Sequence, residues 1–209
     1  AVEQQWSVDI PDSNALVQFS VDEREKFWDS LKGFARFTAK TWGDRVLVNG
    51  DKMPGAKWFP DARINFSENL LKYRGNEDAL VFRGEDRVER RMSRDELRDA
   101  VSVVAQALKA DGVGIGDRVA AYIANMPEAA ICMLATVSLG ATWSSCSPDF
   151  GVNGVLDRFG QIEPKVMIAV DGYFYNGKKH DICDKVAEIA NNLPTLQRVV
   201  IVPYANVEP

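Results

Sequence analysis

Two short apolar runs late in the chain, Val166-Met167-Ile168-Ala169-Val170 and Val199-Val200-Ile201-Val202, limit what it can fold into. Neither alternates with polar residues, so neither can lie as a strand with one face in water. Each must be covered on both faces. Between them, residues 181–191 read as a helix. The same rhythm holds upstream: a strand over 117–123, a helix through 129–139, a strand ending near Cys146 and a helix over 153–161. Strands that alternate with helical crossovers specify a parallel sheet with helices on both sides and right-handed connections. The fold class that follows is α/β.

Composition narrows the setting. At 209 residues and 46% hydrophobic content the chain can bury one good core, with an arm besides. Formal net charge is -5 and no stretch is strongly basic, which argues against nucleic acid and anionic membranes as partners. No apolar run approaches the roughly 20 residues that a bilayer span needs, and residues 1–10 have no signal-peptide core, so a cytoplasmic location is expected. Cys132, Cys146 and Cys183 are odd in number and widely spaced, as expected of small core residues in a reduced protein. The lone His180 lies beside lysines and reads as a solvated loop residue.

Residues 1–76 read as an irregular and helical arm. Trp6, Trp28, Trp42 and Trp58 are scattered through it with Pro11, Pro54 and Pro60, and only residues 22–41 show helical spacing, through Phe27, Leu31 and Phe34 with Trp28 beside them. Gly43 is the expected terminator. From residue 77 the body begins. Strands over 79–82 and 88–92 are predicted around a Gly84-Glu85-Asp86 turn, and Ser93 to Glu96 fits a capping box that opens a helix with Leu97, Val101, Val104, Ala105 and Leu108 on its core face. Gly112, Gly114 and Gly116 follow that helix and precede a strand, the reverse of a dinucleotide fingerprint, so they read as a helix cap and turn. Pro127 suits the first turn of the next helix.

Two places offer chemistry. Small residues line 141–147, and Ser147-Pro148-Asp149 turns a buried strand into a helix at the strand's carboxyl end, where α/β proteins keep ligands. The second place is Gly172 to Lys178, which matches G-x-x-x-x-G-K. Lys179 stands where a phosphate loop needs Ser or Thr for Mg²⁺, and three adjacent aromatics would crowd inward-pointing amides, so a nucleotide P-loop is not expected. Asn176, Gly177, Lys178 and Lys179 still present a glycine and two ammonium groups after a strand, a setting that suits an anion; a solvated surface loop is the alternative.

The string SPDFGVNGVLDRF (147–159), WFPDARINFSENLL (58–71) and the Gly/Ala-rich run from Gly112 to Ala141 together resemble the acyl-CoA synthetases of the adenylate-forming superfamily, and within it the acetoacetate-activating branch. That resemblance covers roughly residues 58–204. It implies a two-domain enzyme whose larger domain holds this sheet, with 1–76 as its acetyl-CoA-synthetase-type N-terminal module and 77–209 as an incomplete start of its AMP-binding domain. It implies a small-molecule carboxylate substrate, ATP with Mg²⁺, coenzyme A, and the remainder of the polypeptide as a partner. A carboxylate would attack the α-phosphate of ATP, and the thiol of coenzyme A would then displace AMP.

The family's Ser/Thr/Gly-rich phosphate loop, its aromatic-Thr-Glu motif and its C-terminal domain lysine do not occur in these 209 residues, so no catalytic or metal-binding residue is assigned and the chain itself is expected to be inactive. In related short-chain synthetases the loop corresponding to 172–179 carries arginines and glycines against the nucleotide phosphates of coenzyme A. The candidate binding residues are therefore Asp149, Asn176, Gly177, Lys178 and Lys179, with lysine giving a point charge in place of a bidentate fork. A self-contained flavodoxin-like phosphate-binding module using the turn at 144–149, another short-chain acyl-CoA synthetase, and a purely structural domain stay open on the residues alone.

Overall fold

A computed structural model describes residues 1–85 and 88–206 of the chain. It forms two compact units, Ala1–Asn65 and Phe66–Pro209.

The first unit is more helical than its sequence suggests. It contains α1 (Val2–Trp6), α2 (Ser13–Asp22) and α3 (Arg24–Phe34), with a two-stranded antiparallel pair, β1 (Leu47–Val48) and β2 (Lys57–Trp58). Asp12 caps α2 by accepting from the Ala15 backbone N–H at 2.8 Å. The Trp6 indole N–H donates to Ser30 Oγ at 2.7 Å and so ties α1 to α3. The single helix expected over 22–41 is corrected to α3, which ends at Phe34, well before Gly43. Arg36 takes a left-handed φ of 53°, and the Phe37 N–H reaches back to the Lys32 carbonyl at 3.0 Å, closing the helix with a Schellman-type turn built on an arginine. Trp28 and Trp58 pack ring to ring at 5.7 Å, as do Trp42 and Phe59 at 5.5 Å.

The second unit opens with α4 (Phe66–Leu70) and an antiparallel hairpin of β3 (Asp78–Gly84) and β4 (Val88–Ser93); Asp86 of the predicted turn lies outside the described residues. The capping box forms as expected at α5 (Arg94–Ala110). Ser93 Oγ accepts from the Glu96 N–H, and the Glu96 carboxylate accepts from the Ser93 N–H at 2.7 Å, which lowers the Glu96 pKa. Gly112 then turns the chain at φ 76°.

The α/β body follows: β5 (Arg118–Tyr122), α6 (Pro127–Ser138), β6 (Thr142–Cys146), α7 (Val152–Ile162), β7 (Val166–Val170), β8 (Gly172–Tyr175), β9 (Lys178–Asp181), α8 (Cys183–Asn191) and β10 (Arg198–Val202). Strands β10, β7, β5 and β6 lie side by side in that order, and all their pairings are parallel. The continuous apolar runs thus become what a doubly covered parallel sheet requires. Right-handed crossovers that step one way from β5 to β6 and the other way from β6 to β7 put α6 and α7 on opposite faces. Accordingly α4 and α5 gather on α6, while α8 gathers on α7.

The core runs through Val119 to Tyr122, all of β7, Val155 and Phe159 of α7, and Ile189 of α8. Cys132 and Cys146 are buried within it, and burial pushes the Cys132 thiol up to about 11; Cys183, expected in the core, is instead exposed at the start of α8. No helix among the described residues is long and apolar enough to cross a membrane.

At the sheet's outer edge, β10 leaves Val199, Val200 and Ile201 at 36%, 37% and 45% exposure, an apolar strip on a strand whose outer edge has no strand partner among the described residues. We therefore expect concentration-dependent self-association of this chain in sedimentation velocity. Ile201→Lys, which places a charge on that edge, should shift it toward monomer; a wild-type chain monomeric at high concentration would contradict the expectation.

Candidate functional site

The strand order fixes where a ligand can sit. The chain leaves β5 toward β6 and leaves β7 toward β10, in opposite directions, so the carboxyl ends of β5 and β7 flank a topological switch point. Three pieces of chain gather there: the turn from Ser147 to Phe150, the hairpin of β8 and β9, and residues 203–206 beyond β10.

Tyr122, the last residue of β5, is buried and organises the first piece. Its hydroxyl lies 2.7 Å from the Pro148 carbonyl and 2.6 Å from the Phe150 carbonyl, donating to the turn that carries Asp149. Burial, then the charges of Tyr173 and Asp149, push the Tyr122 pKa up to about 12, so the phenol keeps its proton and stays a donor. Asp149 itself is exposed. Burial, and then the Asp149 charge, also raise the pKa of Tyr173, which stacks on His180 at a ring distance of 4.9 Å. Phe150, beside it, carries the Arg158 guanidinium over its ring at 4.3 Å.

Asp171, directly after β7, holds the third piece. Its buried carboxylate accepts from the backbone N–H groups of Tyr204, Ala205 and Asn206 at 2.8, 2.9 and 3.0 Å. Burial alone would raise its pKa; the three N–H donors outweigh that and lower it. Tyr204, so placed, packs against Phe82 and Phe174 with ring centroids 6.3 and 5.7 Å away.

The segment from Gly172 to Asp181 is a two-stranded antiparallel hairpin, not the loop expected from the G-x-x-x-x-G-K match. Its two-residue turn is Asn176-Gly177, with φ of 51° and 72°, the doubly positive turn that matches strand twist. Asn-Gly is a strong short-range signal for a two-residue hairpin turn, here following three consecutive aromatics of high strand propensity. Gly172 is required at the hairpin base, because a Cβ there would lie 2.5 Å from the His180 carbonyl oxygen. His180 is correspondingly a half-buried strand residue rather than a solvated loop one.

The five candidate residues fall into separate places. Tyr173 adjoins Asp149 at the base, whereas Asn176 and Gly177 form the tip, about 10 Å further along β8 at 3.3 Å per residue. Lys178 pairs with Tyr175 and Lys179 with Phe174, and successive strand residues alternate faces, so the two ammonium groups leave opposite sides of the hairpin. Both lysines are exposed, and among the described residues neither has a carboxylate within ion-pair distance.

The tip already holds an anion. Glu85, at the end of β3, places Oε1 3.0 Å from the Asn176 N–H and Oε2 3.1 Å from the Gly177 N–H. Two successive N–H groups of a turn form the kind of nest that binds carboxylate or phosphate. No sequence signal announced this contact, which spans 91 residues. Chemically, the edge of the sheet therefore offers an oxyanion nest, two separated ammonium groups and an aromatic base, with no cluster of His, Cys, Asp and Glu that could hold a metal among the described residues.

Comparison with known proteins agrees with this architecture. Residues 66–209 match the AMP-binding enzyme family, and residues 13–70 match the acetyl-coenzyme A synthetase N-terminus. The chain is 54% identical over 196 residues to an acetoacetyl-coenzyme A synthetase of Rhizobium meliloti (strain 1021), covering 93% of this chain and 29% of the relative. It is 39% identical to the acetoacetyl-CoA synthetase of Gallus gallus, covering 92% of this chain and again 29% of the relative. All of it superposes on 33% of the acetoacetyl-CoA synthetase structure from Streptomyces lividans, at a TM-score of 0.93 and 40% identity. The chain thus spans under a third of the length of these relatives.

The Asp171 clamp gives a signed pH dependence. A carboxyl whose folded pKa is depressed contributes stability above its unfolded value, near 3.9, and loses it as pH falls through the folded one. Asp171→Asn should therefore be less stable than wild type at neutral pH in urea unfolding, with the gap closing below about pH 4. A gap independent of pH would show that the charge is not what holds the turn.

Removing the Tyr122 hydroxyl tests the other anchor. Tyr122→Phe leaves the carbonyls of Pro148 and Phe150 without their buried donor and should cost about 1–3 kcal/mol in the same measurement. A cost near zero would mean that the turn is held by its own backbone.

Proposed function

The chain belongs to the AMP-binding enzyme family, and on that premise we propose that it forms the N-terminal part of an ATP-dependent acid–thiol ligase, an acetoacetate–CoA ligase of the cytoplasm. The observation that carries the reading is the superposition of the whole chain, arm and sheet alike, on one third of an acetoacetyl-CoA synthetase. A self-contained flavodoxin-like module does not account for an arm that matches an acetyl-coenzyme A synthetase N-terminus. On this reading residues 1–76 are that N-terminal module, and 77–209 begin the AMP-binding domain.

In such a ligase, ATP with Mg²⁺ activates the carboxylate as an adenylate, and coenzyme A supplies the thiol that takes the acyl group. The residues of this chain contribute binding rather than bond-making. The hairpin tip fits a phosphate of coenzyme A, since its two N–H groups bind a carboxylate in the folded chain. Lys178 and Lys179 add charge from either side of the hairpin, each exposed contact contributing on the order of 1 kcal/mol or less. Tyr122 and Asp171 position the chain around them, and Asp149 sits beside the base at Tyr173.

The test is a hybrid in which this chain replaces the matching segment of the Rhizobium meliloti relative. The hybrid should form thioester from acetoacetate, ATP and coenzyme A, while this chain alone exchanges no pyrophosphate into ATP. Lys178→Ala or Lys179→Ala in the hybrid should raise the KM for coenzyme A several-fold, more at low salt than at high, and leave acetoacetate-dependent pyrophosphate exchange intact. A folded hybrid that makes no thioester would refute the ligase reading. Loss of exchange with KM for coenzyme A unchanged would move the hairpin to ATP.

A further inference from the structure

We infer that Glu85 is a built-in competitor of the hairpin's anion site: its carboxylate occupies the Asn176–Gly177 nest and must leave when a phosphate group binds there. Four observations lead to this. Both carboxylate oxygens are engaged, one by each tip amide, at 3.0 and 3.1 Å, the bidentate arrangement that a phosphate would reproduce. Glu85 is exposed and sits at a left-handed φ of 43°, a backbone conformation that a glutamate adopts at a cost. Glu85 lies in a turn beyond β3, outside the strand pairing, so its side chain is not held by the β3–β4 ladder. Finally, Lys178 and Lys179 flank the nest, exposed and without an ion-pair partner among the described residues, although a glutamate lies at the neighbouring tip.

Cations that flank an occupied nest without pairing to its occupant leave it able to receive a more highly charged anion. A phosphate monoester or diphosphate carries more charge than a carboxylate and more acceptor oxygens. Exchange of Glu85 for such a group conserves the two N–H hydrogen bonds and gains the ammonium charges. The open form of the tip is the binding-competent one, so the apparent dissociation constant rises in proportion to the time that Glu85 keeps it closed. Glu85 thereby sets a threshold: weakly charged anions are turned away and phosphates displace it.

The inference deepens the reading of the hairpin as a coenzyme A contact and rests on it only for the ligand's identity. Its test uses this chain, ¹⁵N-labelled, titrated with inorganic pyrophosphate and separately with adenosine 3′,5′-bisphosphate, following the backbone amides of Asn176 and Gly177. Both amides should shift on titration. Glu85→Ala should tighten binding of the better probe by roughly tenfold, with Glu85→Gln in between because it keeps one neutral acceptor. The two probes separate a diphosphate site from a 3′-phosphate site. If Glu85→Ala raises amide exchange in the hairpin without any gain in affinity, Glu85 is only a latch between two hairpins and the inference fails. Shifts confined to amides elsewhere would also overturn it. If the variant tightens phosphate binding as stated and coenzyme A still does not bind, the competitor stands and the coenzyme A assignment falls.

Discussion

Everything in the second unit depends on β7 having no side facing water. Its five residues are at most 2% exposed, so no backbone N–H or carbonyl in it can be left to solvent, and each edge must be matched by another strand. β5 takes one edge and β10 the other, both parallel to it. Helices must cover both faces, which only crossovers on opposite sides can supply. The carboxyl ends of β5 and β7 are brought together by that demand alone, and the switch point between them is a by-product of burying one apolar strand.

Carboxylates organise the end of the sheet that results. Asp171 holds three consecutive N–H groups after β10, Asp181 accepts from the Cys183 N–H and the Asn206 amide, and Glu85 holds two N–H groups of the hairpin tip. Asp171 and Glu85 meet backbone dipoles, whereas Asp181 also takes the Asn206 side-chain amide and the nearby charge of Lys179. Backbone N–H groups thus compensate much of the negative charge here, and Lys178 and Lys179 stay exposed beside it without a carboxylate in ion-pair distance among the described residues.

How much of this could be read from the residues follows from the range of each cause. The parallel sheet, the capping box at Ser93 and Glu96 and the turn at Gly112 were legible, because unbroken apolar runs and short spacings carry their meaning locally. The first unit was harder. α2 has apolar residues on several sides and no clean stripe, and α3 stops at an arginine in a left-handed conformation where a glycine is the usual signal. The hairpin is less legible: residues 172–179 read as an anion-binding or solvated loop, whereas Asn176-Gly177 closes two short strands. Cys183 was placed in the core on residue type, yet it occupies the exposed first turn of α8. At the site, the sequence named the tip residues and both lysines. It could not name Glu85, Tyr122 or Asp171, whose partners lie 26 to 92 positions away.

The Asp171 clamp also bears on the order in which the chain can assemble. During synthesis β7 and its carboxylate leave the ribosome well before Tyr204 to Asn206, the donors that compensate the charge. Until then Asp171 is an acid with no partners at the mouth of an apolar strand, and burying it is unfavourable. Closing this end of the sheet therefore draws on residues 204–206, which lie 33 to 35 positions beyond the carboxyl they compensate.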